Sequence, residues 1–102
     1  MKVSYSPRSL RQLEAIHSYI GERSPRGARS VIARIRELCE KLGDMPGMGT
    51  LTDQPGVLVL PVVRYPYLIF YAIREAEKEV RILRVRHGAR QPEPLSDEEI
   101  AS

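Results

Sequence analysis

Apolar side chains, with one histidine among them, recur at intervals of three and four residues in two segments near the N-terminus. The first segment contains Leu10, Leu13, Ile16, His17 and Ile20, and the second contains Ala28, Val31, Ile32, Ile35, Leu38, Cys39 and Leu42. This spacing predicts two amphipathic helices. Ser6-Pro7 and Ser24-Pro25 supply N-caps and first helical residues, and Gly43 is placed for a C-terminal cap. Because the connection between the helices is very short, we expect an antiparallel helical hairpin.

The periodicity changes in the C-terminal half, where β-branched and aromatic residues predominate. Residues 57–63, 65–73 and 80–87 predict strands, and the short alternation at 2–6 predicts another. Pro61 restricts its strand to an edge or a bulge. The nearly continuous apolar run at 65–73 is typical of a central strand covered on both faces.

The order of these elements predicts an α+β fold. The N-terminal strand and the helical hairpin would pack on a three- to four-stranded, mainly antiparallel sheet, with 43–56 as a loop and 74–79 as a hairpin turn. The predicted core comprises Ile16, Ile20, Ile32, Ile35, Leu38, Leu68, Phe70 and Leu83. In the tail, Ser96 and Glu99 match a capping box, which allows one short C-terminal helical turn.

Charge is distributed unevenly along the 102 residues. The net charge is +3, but the tail at 91–102 holds four carboxylates and no basic residue, which leaves +7 on residues 1–90. The length suits one domain, so we assign 1–90 to a single domain and 91–102 to an acidic tail. A lone cysteine, no apolar run of about 20 residues and no signal-peptide core lead us to expect a cytoplasmic protein.

The stretch "VRILRVRHGARQP" at 80–92 places most of the candidate chemistry at one strand end. Simple alternation puts Arg84 and Arg86 on one face and His87 on the other, with Arg90 just beyond. If 65–73 is the antiparallel neighbour, Arg64 joins the same group, with Tyr65 and Tyr67 at its rim. Such a basic cluster suits an anionic surface or an acidic partner. It also supplies part of what RNA cleavage needs, a base, an acid and cations. The alternative is a solvated strand end paired with the acidic tail.

Metal and cofactor chemistry finds no support in the sequence. His17, His87 and Cys39 share no ligand spacing, and we interpret His17 and Cys39 as core residues of the helices. The glycines at 46–49 lack the lysine and the strand-to-helix context of a phosphate-binding loop. We therefore predict no metal and no cofactor.

Three stretches resemble the RelE/ParE superfamily of bacterial toxins. They are "SPRSLRQLEAIHSYI", "RYPYLIFYAI" and, most specifically, the hydrophobic strand followed by His-Gly-x-Arg in "VRILRVRHGARQP". Element order and length agree over nearly the whole chain. The resemblance implies a small toxin that a co-expressed antitoxin protein holds inactive.

The superfamily divides by target, and this chain departs from one branch. RelE-like members cut messenger RNA on the ribosome, whereas ParE-like members poison DNA gyrase. The strand 57–63 lacks the lysines of the nucleases, Leu68 stands where they carry an arginine, and Arg90 alone matches a later arginine. His87 lies near a histidine that other nuclease members use, so a nuclease with His87, Arg90 and Arg64 as its chemical groups is the alternative. The departures favour gyrase as the target over the ribosome and messenger RNA.

A further departure concerns toxicity itself. Family members often carry an arginine after the loop glycine, whereas Thr50 follows Gly49 here. A non-toxic, attenuated basic binding module is therefore the third interpretation. Either toxic interpretation places binding on Arg64, Arg84, Arg86, His87 and Arg90.

Overall fold

A five-stranded sheet carries two long helices on one face. The computed structural model describes residues 1–89 and 93–101. The elements are β1 (Lys2–Tyr5), α1 (Pro7–Gly21), α2 (Pro25–Asp44), a 3-10 turn (Pro46–Met48), β2 (Thr50–Leu51), β3 (Leu58–Pro61), β4 (Tyr67–Arg74), β5 (Glu79–His87) and α3 (Asp97–Ala101). The strand order is β1-β5-β4-β3-β2, with β1 parallel to β5 and every other pair antiparallel. The α+β prediction is confirmed. The sheet has one strand more than expected because the predicted loop at 43–56 contains β2.

Both helices begin where the sequence predicted. The Ser6 Oγ accepts a hydrogen bond from the Ser9 N–H at 3.1 Å, and the Ser24 Oγ accepts one from the Gly27 N–H at 2.9 Å. Each serine satisfies an N–H that the first helical turn leaves without a partner. The predicted cap at Gly43 is wrong, since α2 continues to Asp44. A Cβ on Gly43 would lie 2.6 Å from the carbonyl oxygen of Met1, so this glycine allows the chain to pass close to the helix.

The larger core lies between the helices and the sheet. Ile35 and Leu38 are buried as predicted, and Ile16, Ile20 and Ile32 pack partly buried against the same cluster. His17 is exposed, so its assignment to the core is wrong, whereas Cys39 is buried as expected. The buried face of α1 is centred on Ser9 and Leu13. At 100° per residue, His17 lies on its flank together with Leu10, which is 44% exposed.

A smaller core covers the opposite face, called here the second face of the sheet. It consists of Val57, Ala72, Leu83 and Leu95, with Phe70 and Ile100 packed partly buried against it. Leu83 is therefore core as predicted, and Phe70 is half-buried against this cluster. Leu68 is also half-buried but lies outside both clusters, so its assignment to the core is wrong. Leu95 belongs to the tail, which folds back onto the sheet and ends in α3.

A β-bulge in β5 determines which face each of its side chains occupies. Ile82 pairs with Tyr71 and Arg84 pairs with Phe70, so Leu83 is an extra residue in the ladder. The simple alternation expected for this strand is therefore wrong beyond Ile82. Val80, Ile82 and Val85 all reach the core on the helix side, whereas Leu83 and Arg84 follow each other on the second face.

Candidate binding site at the basic end of the sheet

The ends of β4 and β5 meet where the sequence predicted. Tyr67 pairs with His87 and Leu68 pairs with Arg86 in antiparallel register. The start of β4 thus lies beside the end of β5, and the basic residues of 84–87 share this end of the sheet. The bulge divides them between its two faces.

Arg64 occupies a separate position in the turn between β3 and β4. Its backbone φ is 77°, a left-handed conformation that is rare for residues other than glycine. The side chain is exposed and lines a hollow with Ser30, Arg34 and Tyr65, on the side of α2. The structure therefore does not bring Arg64 into one group with His87. Among the described residues, no hydrogen bond or ion pair holds its guanidinium.

Arg84 does not belong to the exposed cluster that was expected. Its residue exposure is 2%, and its guanidinium forms a bidentate ion pair with the Glu99 carboxylate, Nε to Oε2 at 3.0 Å and Nη2 to Oε1 at 2.7 Å. The third nitrogen, Nη1, donates to the Glu93 carbonyl oxygen at 2.6 Å. Arg84 thus pairs with the acidic tail, as the alternative interpretation of the basic strand end expected.

Arg86 and His87 line one open groove of about 720 Å³ between α1 and the sheet end. The Arg86 guanidinium lies 5.1 Å from the ring centroid of Phe70, a cation–π contact. The His87 ring packs edge-on against Tyr67, with centroids 5.5 Å apart. Its Nδ1 accepts a hydrogen bond from the Ala89 N–H at 3.0 Å, so Nε2 carries the proton of the neutral ring. Arg90 lies outside the described residues.

Helix α1 supplies the opposite wall of the groove, which the sequence interpretation missed. Gln12, Ala15, Ile16 and Tyr19 line it. Tyr19 is 61% exposed, and the Arg23 guanidinium stacks on its ring at 4.4 Å. The sequence did contain a sign of this wall. Residues 12, 16, 19 and 23 follow a helical spacing that extends the apolar stripe of α1 to one side. Tyr67 belongs to this groove as expected, but Tyr65 lines the hollow of Arg64 instead.

Across 1–89 and 93–101, no three His, Cys, Asp or Glu side chains come together in a way that could hold a metal ion. In the same part of the chain, no helix has the length and apolar content needed to cross a bilayer. Tyr19 and Tyr67 give the groove aromatic rings, Gln12 an amide and His87 an imidazole. Arg86 also lines the groove, but its guanidinium lies over Phe70 on the second face.

Known proteins similar in sequence are toxins. Residues 3–92 match the family described as "ParE toxin of type II toxin-antitoxin system, parDE". Toxin RelE2 of Caulobacter vibrioides is 36% identical over 89 residues, which cover 87% of this chain and 97% of that toxin. Putative toxin Y4kP of Sinorhizobium fredii is 31% identical over 90 residues, covering 88% and 91% of the two chains.

Solved structures share the fold at lower identity. A chain of the chromosomal ParDE system from P. aeruginosa superposes with a TM-score of 0.75 at 24% identity, covering 85% of this chain and 95% of that one. The isolated E. coli RelE toxin gives a TM-score of 0.67 at 13% identity, covering 88% and 86%. Both branches of toxin thus have this architecture, so the fold alone does not distinguish their targets.

Proposed function

Because this chain belongs to the ParE toxin family of type II toxin–antitoxin systems, we propose that it inhibits DNA gyrase and stops replication until its antitoxin binds. As a family member it is a toxin of the ParE/RelE superfamily. We propose further that its target is DNA gyrase, that residues 1–90 form the toxic unit and that the protein is cytoplasmic. Arg86 and His87 in the groove, with Arg64 in the neighbouring turn, would contact the target. Arg90 is included from the sequence. Electrostatic complementarity would set the approach and register of the complex.

The composition of the groove is the observation that supports inhibition by binding over RNA cleavage. Cleavage through a ribose 2′-hydroxyl needs a general base and a general acid held on the two sides of the phosphate. Among the described residues that line the groove, His87 alone is of the type most often used as a base, and Ala89 already engages its Nδ1. No carboxylate or lysine lines the groove in this part of the chain, and Arg84 is bound to Glu99. The surface suits recognition better than proton transfer.

The antitoxin is expected to present an acidic, partly disordered segment that folds on binding. Exposed arginines on the helical hairpin would provide the complementary charge, and they are Arg11, Arg23, Arg26, Arg29 and Arg36. Tyr19 and the groove beside it would receive apolar side chains of the same segment. Co-purification of the two proteins expressed from their native operon is the test, with salt sensitivity of the complex as the expected signature.

Induction without antitoxin separates gyrase inhibition from RNA cleavage. DNA synthesis and protein synthesis are followed separately after induction, and purified protein is added to a gyrase supercoiling assay. We expect DNA synthesis to stop first, with an SOS response and inhibited supercoiling. Early loss of translation with cut messages would establish the nuclease instead, and His87→Ala should then abolish cutting. Growth without any defect would identify a non-toxic binding module.

Charge variants test which residues contact the target. Arg86→Ala and Arg64→Gly should each weaken inhibition of supercoiling several-fold, because each removes one cation from the contact surface. Glycine is chosen at Arg64 because it adopts a φ of 77° without strain. Arg26→Ala on α2 is the matched control, since it removes an exposed arginine that is not among the described residues lining the groove or the hollow of Arg64. Equal effects of all three substitutions would show that net charge, and not this surface, determines inhibition.

A further inference from the structure

The tail is held to the sheet by a complete set of contacts around one buried charge. All three nitrogens of the Arg84 guanidinium donate to tail oxygens, and the two side chains of the Arg84–Glu99 pair are only 3% and 7% exposed. Arg8 adds a second cation at 3.4 Å from the same carboxylate. Bidentate, charge-assisted hydrogen bonds are strong and geometrically selective. The second face therefore contains a specific site for a carboxylate.

Apolar and backbone contacts complete this site. The Leu95 side chain packs against Val57, Ala72 and Leu83. The Gln54 amide forms two hydrogen bonds with the Leu95 backbone, donating to its carbonyl at 2.7 Å and accepting from its N–H at 2.9 Å. A side chain that pairs with a backbone in this way recognises a peptide regardless of the side chain at that position.

The residues that hold the tail and the tail residues that they hold lie in different parts of the chain. Arg8, Gln54, Val57, Ala72, Leu83 and Arg84 fall within the region that matches the toxin family, residues 3–92. Leu95 and Glu99 lie beyond it. The body carries excess positive charge and the tail is acidic, so they are complementary as a receptor and a ligand would be.

We propose that the second face of the sheet is a binding surface for an acidic peptide, and that the tail fills it in cis. The ligand is a short segment of another protein with an aliphatic residue four positions before a glutamate, like Leu95 and Glu99. The glutamate replaces Glu99 on Arg84 and Arg8, and the aliphatic side chain replaces Leu95. The groups that hold the tail are Arg84, Arg8, Gln54 and the apolar cluster around Leu95, and His87 is not among them. The inference therefore does not depend on gyrase being the target.

The covalent connection determines which ligands can compete. Because the tail belongs to the same chain as the second face, its effective concentration there is of the order of millimolar. A peptide from another protein must compete with the tail of the native chain at that effective concentration. It meets less competition in a variant whose tail binds the second face weakly. The double variant Leu95→Ala, Glu99→Gln is such a variant. Leu95→Ala empties the apolar hollow, and Glu99→Gln removes the counter-charge of Arg84, which favours access of water to its guanidinium.

The test is an NMR titration of the full-length, ¹⁵N-labelled chain with a synthetic peptide of residues 93–102. In the double variant, we expect saturable shifts at Val57, Ala72 and Leu83, with binding at least about tenfold tighter than to the native chain. A peptide carrying Glu99→Gln should bind at least about tenfold more weakly than the native peptide. Arg8→Ala added to the double variant should weaken binding several-fold.

Two controls keep the result interpretable. Signal dispersion must show that the double variant is folded; if it is not, Glu99→Gln alone replaces it, since Leu95 then retains its packing. A scrambled peptide of the same composition controls for charge alone. The proposal is overturned if the folded variant shows no saturable shifts with the native peptide at several millimolar, or if the scrambled peptide binds equally well.

Discussion

Cys39 is buried near Tyr5, and burial raises the pKa of its thiol to about 12. In an unfolded chain a thiol has a pKa of about 8.5. The folded protein therefore keeps a proton that the unfolded chain releases, so the free energy of unfolding falls as the pH rises from about 9 to about 12. Urea unfolding should show a lower midpoint at about pH 10.5 than at about pH 8.

Cys39→Ala is the comparison that assigns this loss to the thiol. The variant should be less stable at neutral pH because of the cavity, yet its stability should decline less steeply with alkali. Burial also raises the pKa of Tyr5, so part of the decline will persist. Identical slopes for the native chain and the variant would contradict the assignment. The native thiol should react with thiol reagents only after unfolding, since the thiolate is the reactive form.

Individual core residues could be predicted where spacing alone decides them. Ile35 and Leu38 occupy the centre of the stripe of α2 and are buried. On α1 the same reasoning placed His17 inside, because hydrophobic spacing does not show where the centre of a narrow stripe lies. The centre lies between Ser9 and Leu13. The Ser9 hydroxyl donates to the Ser6 carbonyl at 2.8 Å and so tolerates burial. A serine in a cap region carries no signal of burial in the sequence.

Among the elements, the helices could be predicted almost to the residue and the strands less well. Ser-Pro pairs marked both helix starts. In β5, apolar residues stand at 80, 82, 83 and 85, so either alternation satisfies the pattern. The bulge resolves this choice by directing Val80, Ile82 and Val85 to the helices, which depends on how the strand packs. With two residues, β2 is too short to show any alternation.

Helix α1 also completes the hydrogen bonding of β5 beyond the end of β1. The pairing of β1 with β5 ends at Tyr5 and Ile82, and further along the Val85 N–H donates to the Gln12 Oε1 at 2.7 Å. Gln12→Ala would leave this buried N–H without a partner, which should cost about 1–3 kcal/mol of stability. Hydrogen exchange should show faster exchange of the Val85 amide than in the native chain.

Glu14→Ala is the matched control for this prediction. Glu14 lies exposed on the same helix, and its removal should change stability by less than about 0.5 kcal/mol. If Gln12→Ala leaves both stability and Val85 exchange as they are in Glu14→Ala, water satisfies the amide and the contact is not structural.

For the whole molecule, the two sides of the sheet differ in how much they bury. The helix-side core holds most of the buried apolar residues, whereas the second face has a small cluster. Leu38→Ala on the helix side should therefore cost about 2–5 kcal/mol, a large share of the roughly 5–15 kcal/mol of a small domain. Urea unfolding with one cooperative transition is the measurement.

Leu10→Ala provides the comparison for Leu38→Ala. Leu10 is 44% exposed, so the same change of side chain should cost less than about 1 kcal/mol. A similar loss at both positions would show that the helices are less firmly packed on the sheet than their burial indicates.

The architecture of the whole molecule could be predicted from the order of its elements. Its superfamily came from the resemblance of three stretches, most specifically "VRILRVRHGARQP". The distribution of the basic residues of 84–87 between the two faces of the sheet could not be predicted in the same way. Arg84 and Glu99 are 15 residues apart, and their pairing depends on both the bulge and the return of the tail. Likewise, the groove joins Tyr19 to His87 through the packing of α1 on the sheet end. Such contacts follow from tertiary structure and leave no local pattern in the sequence.

The bulge also determines where this chain could tolerate a deletion. Removing Leu83 would leave Ile82 opposite Tyr71 and Arg84 opposite Phe70, now as consecutive pairs, so every remaining side chain of the strand would keep its face. Removing Val85 would instead turn Arg86 toward the helices and His87 away from them. Related toxins that are one residue shorter in this strand are therefore expected to have their alignment gap at the position of Leu83.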